Sequence, residues 1–237
     1  MLPIFYFADT AIGRFDKDSL CDQQLMQLFI AGFENAELIV PHHRQSFDIA
    51  SWEGIQMDEK NANVVAVQWD WIGIRGSVQL NFLPATVQRV NFGTNALNGT
   101  LDLRELPLSL VEGSFSENRF SGAIDLTALP KKLMLLNIVK NQLSGSLDLR
   151  RLPPTLRMLM LCENHFTGCV DLGSLPRDMH FLNLEDNCLA GSVNISSLGE
   201  KLGDVCVSLS NNTGLCGKVR EDQLQTMQVA GTKIEVI

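Results

Sequence analysis

Residues 136–153 of the chain read LNIVKNQLSGSLDLRRLP, and the same arrangement of residue types recurs along most of the sequence. Asparagine, glycine and proline each return every 23 residues, in phase with one another. The repeated residues are Asn95, Asn118, Asn141, Asn164 and Asn187; Gly76, Gly99, Gly122, Gly145, Gly168 and Gly191; and Pro84, Pro107, Pro130, Pro153 and Pro176. A period of this length predicts a stack of similar units, each in contact with its neighbours only.

Each repeat contains signals for two short strands. Before the asparagine, apolar residues alternate with other residues, as at Leu136 and Ile138. Period-two alternation predicts a half-buried strand. After the asparagine, the glycine permits a bend closed to residues with a Cβ, and the following pair, Leu147 and Leu149 in this repeat, predicts a second short strand. The Leu-Pro pair then suits the turn into the next coil, because proline lacks an N–H group.

The repeated asparagine comes where the chain must turn inward. Its short amide can donate to and accept from the main chain of neighbouring coils, so stacked asparagines predict a ladder. Ile72 stands where the first coil needs this residue, and Asn212 supplies it in the last coil after a small insertion. Five regular and two degenerate coils give seven rungs, a sheet roughly 30 Å long.

The segments LNIVKNQLSGSLDLRRLP and LNLEDNCLAGSVNISSL resemble the plant-type subclass of the leucine-rich-repeat family, with its L-x-x-N-x-L-S-G core. The ending LDL-x-x-LP departs from the plant pattern and is similar to that of repeat proteins in protists. The resemblance covers residues 62–217. It implies an α/β repeat solenoid: a right-handed coil with a parallel sheet on the concave face, short second strands and turns on the back, and an N-terminal helical cap.

Atypical segments flank the repeats, as expected where a solenoid must cover its apolar ends. Residues 1–61 are predicted to form an N-terminal cap, residues 62–217 the solenoid, and residues 218–237 a C-terminal cap or tail. Apolar spacing predicts a helix over about residues 18–35, with Asp18 or Ser19 as its N-cap. Trp52 and Gly54 are similar to the Trp-x-Gly turn of plant-type flanks, and TKIEVI at the C-terminus is expected to pair as an edge strand.

In the family, ligands usually meet the concave face, which is formed by the outward residues six, four and two places before the asparagine. The first rungs carry polar or small residues there, beginning with Ala66, Gln68 and Asp70, whereas the middle rungs carry an apolar island with polar neighbours. Clustered methionine and aromatic residues on a surface usually mark an interaction site. The predicted partner-binding residues are Leu135, Asn137, Val139, Met158, Met160, Cys162, Phe181, Asn183, Glu185 and Cys206. The alternatives are that the sheet tolerates scattered apolar residues or that a neighbouring copy covers them.

Two other clusters admit a chemical interpretation. Asp102, Asp125, Asp148 and Asp171 form a column, and stacked carboxylates suggest a cation. We favour capping of the turn that follows each aspartate, with Arg104 and Arg150 reducing repulsion. His165 and Cys188 share a column on adjacent rungs, but they belong to no recognised catalytic or zinc motif. We therefore expect no enzyme activity, no metal site and no cofactor.

Composition narrows the kind of partner. With 27 acidic and 19 basic residues the net charge is −8, which disfavours nucleic acid and anionic membranes. The sequence shows no signal peptide and no apolar run of membrane-spanning length. The six cysteines are expected to be reduced, and the missing paired cysteines of plant-type flanks favour a reducing compartment. The prediction is a cytoplasmic, non-catalytic module that binds a protein or peptide. The alternative is a secreted or cell-surface recognition domain whose leader lies outside this sequence.

Overall fold

The computed structural model describes residues 17–40, 48–60, 62–195, 205–221 and 226–237. Its repeats form a solenoid in which two sheets enclose one apolar core. Among the described residues, no helix has the length and apolar character needed to span a membrane. The predicted solenoid with a parallel sheet, short second strands and a small helical cap is confirmed.

The first sheet has nine strands in the order β1-β2-β4-β6-β8-β10-β12-β14-β16. From β2 onward its neighbours are parallel, and equivalent residues of successive repeats lie side by side: Met158 pairs with Leu135 on one flank and with Phe181 on the other. This sheet carries the concave face. Its strands are β1 (Ile55–Met57), β2 (Val64–Gln68), β4 (Arg89–Asn91), β6 (Glu112–Ser114), β8 (Leu135–Asn137), β10 (Met158–Met160), β12 (Phe181–Asn183), β14 (Cys206–Ser208) and β16 (Met227–Gln228).

The second sheet has eight strands in the order β17-β15-β13-β11-β9-β7-β5-β3. These strands are β3 (Arg75–Ser77), β5 (Ala96–Gly99), β7 (Arg119–Ala123), β9 (Gln142–Ser146), β11 (His165–Asp171), β13 (Cys188–Asn194), β15 (Gly214–Val219) and β17 (Lys233–Val236). Each neighbouring pair is parallel.

The second strand does not lie where the apolar columns placed it. In most repeats it starts directly after the ladder asparagine and contains the glycine, instead of following the glycine; only β11 and β13 reach the predicted Val170 and Val193. The repeated glycines keep positive φ values, +86° at Gly145 for example, so they bend the strand from within. The predicted strand position was wrong, whereas the predicted need for glycine is confirmed.

The back of each rung is closed by short turns. Asp102 accepts a hydrogen bond from the Arg104 N–H, and the other aspartates of its column accept from the residue two places on. In two rungs the chain then forms 3-10 helices, Leu80–Phe82 and Leu103–Glu105. The carbonyl of each repeated proline accepts from the N–H three residues later, which completes the turn into the next rung.

The repeated asparagines form hydrogen bonds between successive rungs. Nδ2 of Asn141 donates to the Phe115 carbonyl of the preceding rung at 3.0 Å, and its Oδ1 accepts from the Phe120 N–H at 3.0 Å. Asn95, Asn118, Asn164, Asn187 and Asn212 repeat this pattern. Backbone groups that face the core at each inward turn are thereby satisfied.

The N-terminal cap contains α1 (Asp22–Ile30), which is shorter than the predicted helix over residues 18–35. Its N-cap is Cys21, not Asp18 or Ser19, because a separate 3-10 helix occupies Lys17–Ser19 and the Gln24 side chain closes a capping box on Cys21. Two polar side chains of α1 fix the cap to the rest of the chain. Asp22 Oδ2 accepts from the Val64 N–H at 2.7 Å, and Gln23 Oε1 accepts from the Ile49 N–H at 2.8 Å.

Aromatic side chains join this cap to the first rungs. Phe29 of α1 is fully buried and stacks on Phe92, with ring centroids 5.5 Å apart, and it also contacts Trp69. Trp52 is buried, Gly54 has a φ of +75°, and the carbonyl between them accepts from Trp69 Nε1 at 2.7 Å. The predicted Trp-x-Gly turn therefore anchors the flank to the first repeat.

The cap also pairs backbone groups of the first rung, in which Ile72 stands at the ladder position. Asn35 Nδ2 donates to the Gly73 carbonyl at 2.9 Å, and its Oδ1 accepts from the Arg75 N–H at 2.9 Å. An amide from outside the repeats thus pairs backbone groups just after the position that lacks a ladder asparagine. At the other end, the predicted edge strand of the tail is β17, paired in parallel with β15.

Candidate functional site

The concave face carries the apolar island in one continuous patch. Because β8, β10 and β12 are in register, Leu135, Met158 and Phe181 form a row along the sheet, and Met160 lies between Asn137 and Asn183 in the next row. All four apolar side chains are half-buried, while the alternate residues Leu136, Leu159 and Leu182 are fully buried in the core. The strands therefore direct the island to the solvent side, as alternation requires.

Polar groups surround this island. Arg89 and Glu112 precede Leu135 in the same row, and Glu185 accepts a hydrogen bond from Ser208 Oγ at 3.3 Å on the far side. Val139, Cys162 and Cys206, which complete the predicted set, are also half-buried. An apolar centre with a polar rim is the arrangement found in many protein interfaces.

The asparagines of the concave face have a property that the sequence did not reveal. Oδ1 of Asn91, Asn137 and Asn183 accepts from the backbone N–H two residues later, at 2.9–3.1 Å. This bond fixes the amide plane. Within the described residues, Nδ2 of these asparagines has no hydrogen-bond partner, so each amide keeps two N–H donors available. They occur on every second rung, and Asn137 and Asn183 lie beside Met160 of the island. Free amide N–H groups of this kind can donate to carbonyl or carboxylate oxygens.

The first and last rungs of the concave face are less accessible to solvent than the outward positions of their residues in the sequence pattern suggest. Ala66, Ser208 and Ser210 are buried, with at most 6% of each residue exposed. Ala66 lies beside β1 and Ser208 beside β16, so both belong to rungs covered by the flanking strands. The accessible part of the face is centred on the middle rungs.

Cys162 lies at the edge of the island and carries a protonated thiol. Burial, and then the nearby Glu163 carboxylate, raises the pKa of Cys162 to about 11. A thiol is a nucleophile only as the thiolate. At neutral pH Cys162 is therefore a small apolar surface residue of the patch.

Beside the concave face runs a ridge of residues with left-handed backbone. Each residue before the ladder position has a φ of 51–61°, a conformation that is costly for a branched or bulky side chain. The N–H groups of these residues donate to the next rung, so the ladder and the sheet impose the conformation together. The ridge consists of Trp71, Thr94, Glu117, Lys140, Glu163, Asp186 and Asn211, and Trp71 is 76% exposed.

His165 and Cys188 lie beside this ridge, in an open depression also lined by Lys140, Glu163 and Asp186. Both residues are exposed. No group of three or more metal-ligating side chains is close enough to hold a metal among the described residues. The structure thus places His165 and Cys188 at one open surface, together with the carboxylates of Glu163 and Asp186.

The aspartate column is a set of caps, as we favoured. Asp102 and Asp148 each form an ion pair with the arginine two residues on, at 2.7 and 2.9 Å. Hydrogen bonds from Arg150 lower the pKa of Asp148 to about 2. Asp125 is bound by the Thr127 N–H and hydroxyl instead. Each carboxylate of the column accepts hydrogen bonds from its own turn and so stabilises that turn.

No family model matches the sequence, and no curated protein matches it. Solved structures do share the fold. The Arabidopsis receptor kinase HAESA, in complex with the peptide hormone IDA and the co-receptor SERK1, is 22% identical, with a TM-score of 0.70 over 87% of this chain and 36% of that one. The leucine-rich-repeat ectodomain of HAESA with an N-terminally extended IDA peptide gives 22% identity and a TM-score of 0.65, over 91% and 41%. A plant ice-binding protein gives 20% and 0.67, over 90% and 71%.

This chain spans less than half the length of the two HAESA chains, 36% and 41% of them. At these identities the likeness concerns the fold, and the named structures differ in what they bind. The coil of 23-residue turns, the asparagine ladder and the structural neighbours together show that the chain has the fold of a leucine-rich-repeat solenoid.

Proposed function

We propose that the chain is a recognition module that binds a protein or peptide on its concave face. The observation that carries the proposal is the continuous island of Leu135, Met158, Met160 and Phe181 on the solvent side of three adjacent strands. Methionine side chains adapt to the shape of a partner, and Phe181 offers a large apolar contact at low entropic cost.

The available asparagine donors describe the partner further. Asn137 and Asn183 lie on either side of Met160, with their amide planes fixed by backbone hydrogen bonds. A partner that buries the island must bring acceptors to these N–H groups, because an unpaired buried donor costs about 1–3 kcal/mol. An extended peptide meets this requirement with its backbone carbonyls and fills the island with an apolar side chain.

The test uses peptides selected for binding to the immobilised wild-type chain from a random display library. We expect Met160→Glu combined with Phe181→Glu to abolish binding of the selected peptides, because burial of an unpaired carboxylate is costly. The free energy of unfolding should fall by no more than about 1 kcal/mol, since each site is at the surface. Thr167→Glu with Ala190→Glu is the matched control, as it adds the same charges to adjacent rungs on the second sheet, where both residues are exposed. Equal binding by both double variants would exclude the concave face.

A cell-surface or secreted location is the second part of the proposal, and the comparisons support it better than the cytoplasm. The matched structures include a receptor kinase ectodomain bound to a peptide hormone ligand. Labelling of intact source cells with a membrane-impermeant biotin reagent tests the location of the native protein. Labelling of the protein before lysis supports a surface location, whereas labelling only after lysis supports the cytoplasmic expectation.

A further inference from the structure

The two ends of the solenoid are closed in different ways. At the N-terminal end, β1 runs antiparallel to β2, and Phe33 forms an antiparallel bridge to Gly76 of β3. At the other end β17 is the last strand of its sheet, and within the described residues no strand pairs with its outer edge. Val236 and Ile237 are 45% and 66% exposed there. An uncovered edge strand with apolar residues is a template for pairing with another strand.

The hydrogen bonds show which backbone groups of β17 face outward. The Ile237 N–H donates to the Val219 carbonyl of β15 at 2.9 Å. Alternate residues of a strand direct their N–H and C=O groups to the same side. Lys233 and Glu235 therefore bond towards β15, and Ile234 and Val236 present their backbone groups at the open edge. The Ile234 N–H donates to the hydroxyl of Thr232, two residues earlier in the same chain, at 3.2 Å.

The side chains of β17 complement those of a second β17. Lys233 and Glu235 are exposed on the outer face, and Ile234 packs against the core. If two copies pair antiparallel about a two-fold axis at Ile234, each Lys233 lies opposite Glu235 of the second copy, and the two Ile234 side chains meet. An axis at Lys233 or at Glu235 would instead place like charges opposite each other, which is destabilising. Of these three registers, charge therefore favours the axis at Ile234.

We propose that β17 is a self-association edge, at which a second copy of this chain pairs antiparallel about Ile234 to give an end-to-end dimer. The contact is isologous, as expected for a two-fold dimer. On the outer face, Lys233 and Glu235 form two ion pairs between the copies. On the inner face, Val236 of one copy lies opposite Thr232 of the other. This arrangement covers the exposed apolar end and leaves both concave faces open, so it does not depend on the proposed function of that face.

Charge reversal of the 237-residue chain tests the proposal by sedimentation velocity. The wild type should sediment as a dimer. Lys233→Glu and Glu235→Lys, each alone, should weaken the dimer roughly tenfold or more, because both place like charges opposite each other in two positions. An equimolar mixture of the two variants should dimerise again, since every facing pair is then of opposite charge. Both side chains are exposed, so neither substitution should shift the unfolding midpoint when wild type and variants are compared at a concentration at which all are monomeric.

Lys218→Ala is the control for effects within one chain. Lys218 forms an ion pair with Glu235 of the same chain at 3.6 Å, and its removal should leave the dimer intact. A wild type that stays monomeric at its highest soluble concentration would overturn the proposal. So would single variants that remain fully dimeric, or a mixture that fails to recover the dimer.

Discussion

At the residue scale, asparagine serves this protein in two opposite ways. The amide of Asn141 is buried, with Nδ2 and Oδ1 both bonded to backbone groups. Four residues earlier, Oδ1 of Asn137 accepts from the Val139 N–H, and within the described part of the chain its Nδ2 has no hydrogen-bond partner. Burial decides the difference: an amide in the core must satisfy all of its polar atoms, whereas one on the concave face can exchange with water.

Replacement of the central ladder residue measures its contribution to stability. Asn141→Leu should lower the free energy of unfolding by about 3 kcal/mol, because the Phe120 N–H loses its partner in the core. The Phe115 carbonyl loses its 3.0 Å bond from Asn141 and keeps only the longer 3.3 Å bond from Asn118 Nδ2. Chemical denaturation monitored by circular dichroism gives this value. The matched control is Asn98→Leu at an exposed position of β5, for which we expect a change within about 0.5 kcal/mol. An unchanged midpoint for Asn141→Leu would contradict the structural role of the ladder.

At the scale of elements, the rungs support one another through identical contacts, but the N-terminal cap depends on contacts that occur once. Helix α1 has only nine residues, too few for stability in isolation. Its position is fixed by the aromatic group of Phe29, Phe33, Trp69 and Phe92, whose rings lie within 5.5–6.1 Å of their neighbours. The cap in turn covers an apolar end of the solenoid that would otherwise meet water.

Removal of the central ring should therefore release the cap and weaken the first rungs. Phe29→Ala should destabilise the protein by about 3–5 kcal/mol, the usual cost of truncating a buried phenylalanine. Hydrogen exchange should show the largest loss of protection in α1 and β2 and a smaller loss in β10. Leu38→Ala, at a side chain that is 46% exposed, is the control and should leave protection unchanged. A uniform loss along the solenoid would argue against a locally anchored cap.

At the scale of the whole molecule, the proposed dimer would present two concave faces at once. If one partner molecule carries two binding segments, the second contact becomes intramolecular, and the apparent affinity rises without a new interface.

The six cysteines are free in the structure; they are Cys21, Cys162, Cys169, Cys188, Cys206 and Cys216. We therefore attribute the stability of each chain to the stacking of its rungs, to the asparagine ladder and to the caps, and to no disulfide bond.

Addition of a reductant tests this assignment. The midpoint of thermal unfolding of the wild-type chain should be the same with and without reductant, because a disulfide that contributed to stability would typically add about 2–4 kcal/mol. Titration of thiols in the denatured protein should count all six cysteines before reduction. A large drop of the midpoint on reduction would reveal a disulfide formed in solution and would contradict the free thiols of the structure.

The features that repeat could be predicted from the sequence, because each rung has the same neighbours as the next. The ladder from Asn95 to Asn187, the proline turns and the outward island at Met160 follow from period and alternation alone, whereas Asn212 lies two residues out of phase with the period. The second strand was misplaced: apolar columns report which residues face the core, not which backbone groups pair. The strands therefore formed around Gly145 and its equivalents, where β-sheet hydrogen bonds reach the adjacent rung.

The features that occur once were decided by the tertiary structure. Asn35 pairs with Gly73 and Arg75, about forty residues later, and nothing in its local sequence indicates this. Cys21, an unusual capping residue, begins α1 because Gln24 completes the capping box. The burial of Ala66 and Ser208 depends on the flanking segments that bring β1 and β16 beside them. Period and alternation thus determined the coil, whereas contacts between segments that do not repeat determined how its ends are closed, since no periodic signal records such contacts.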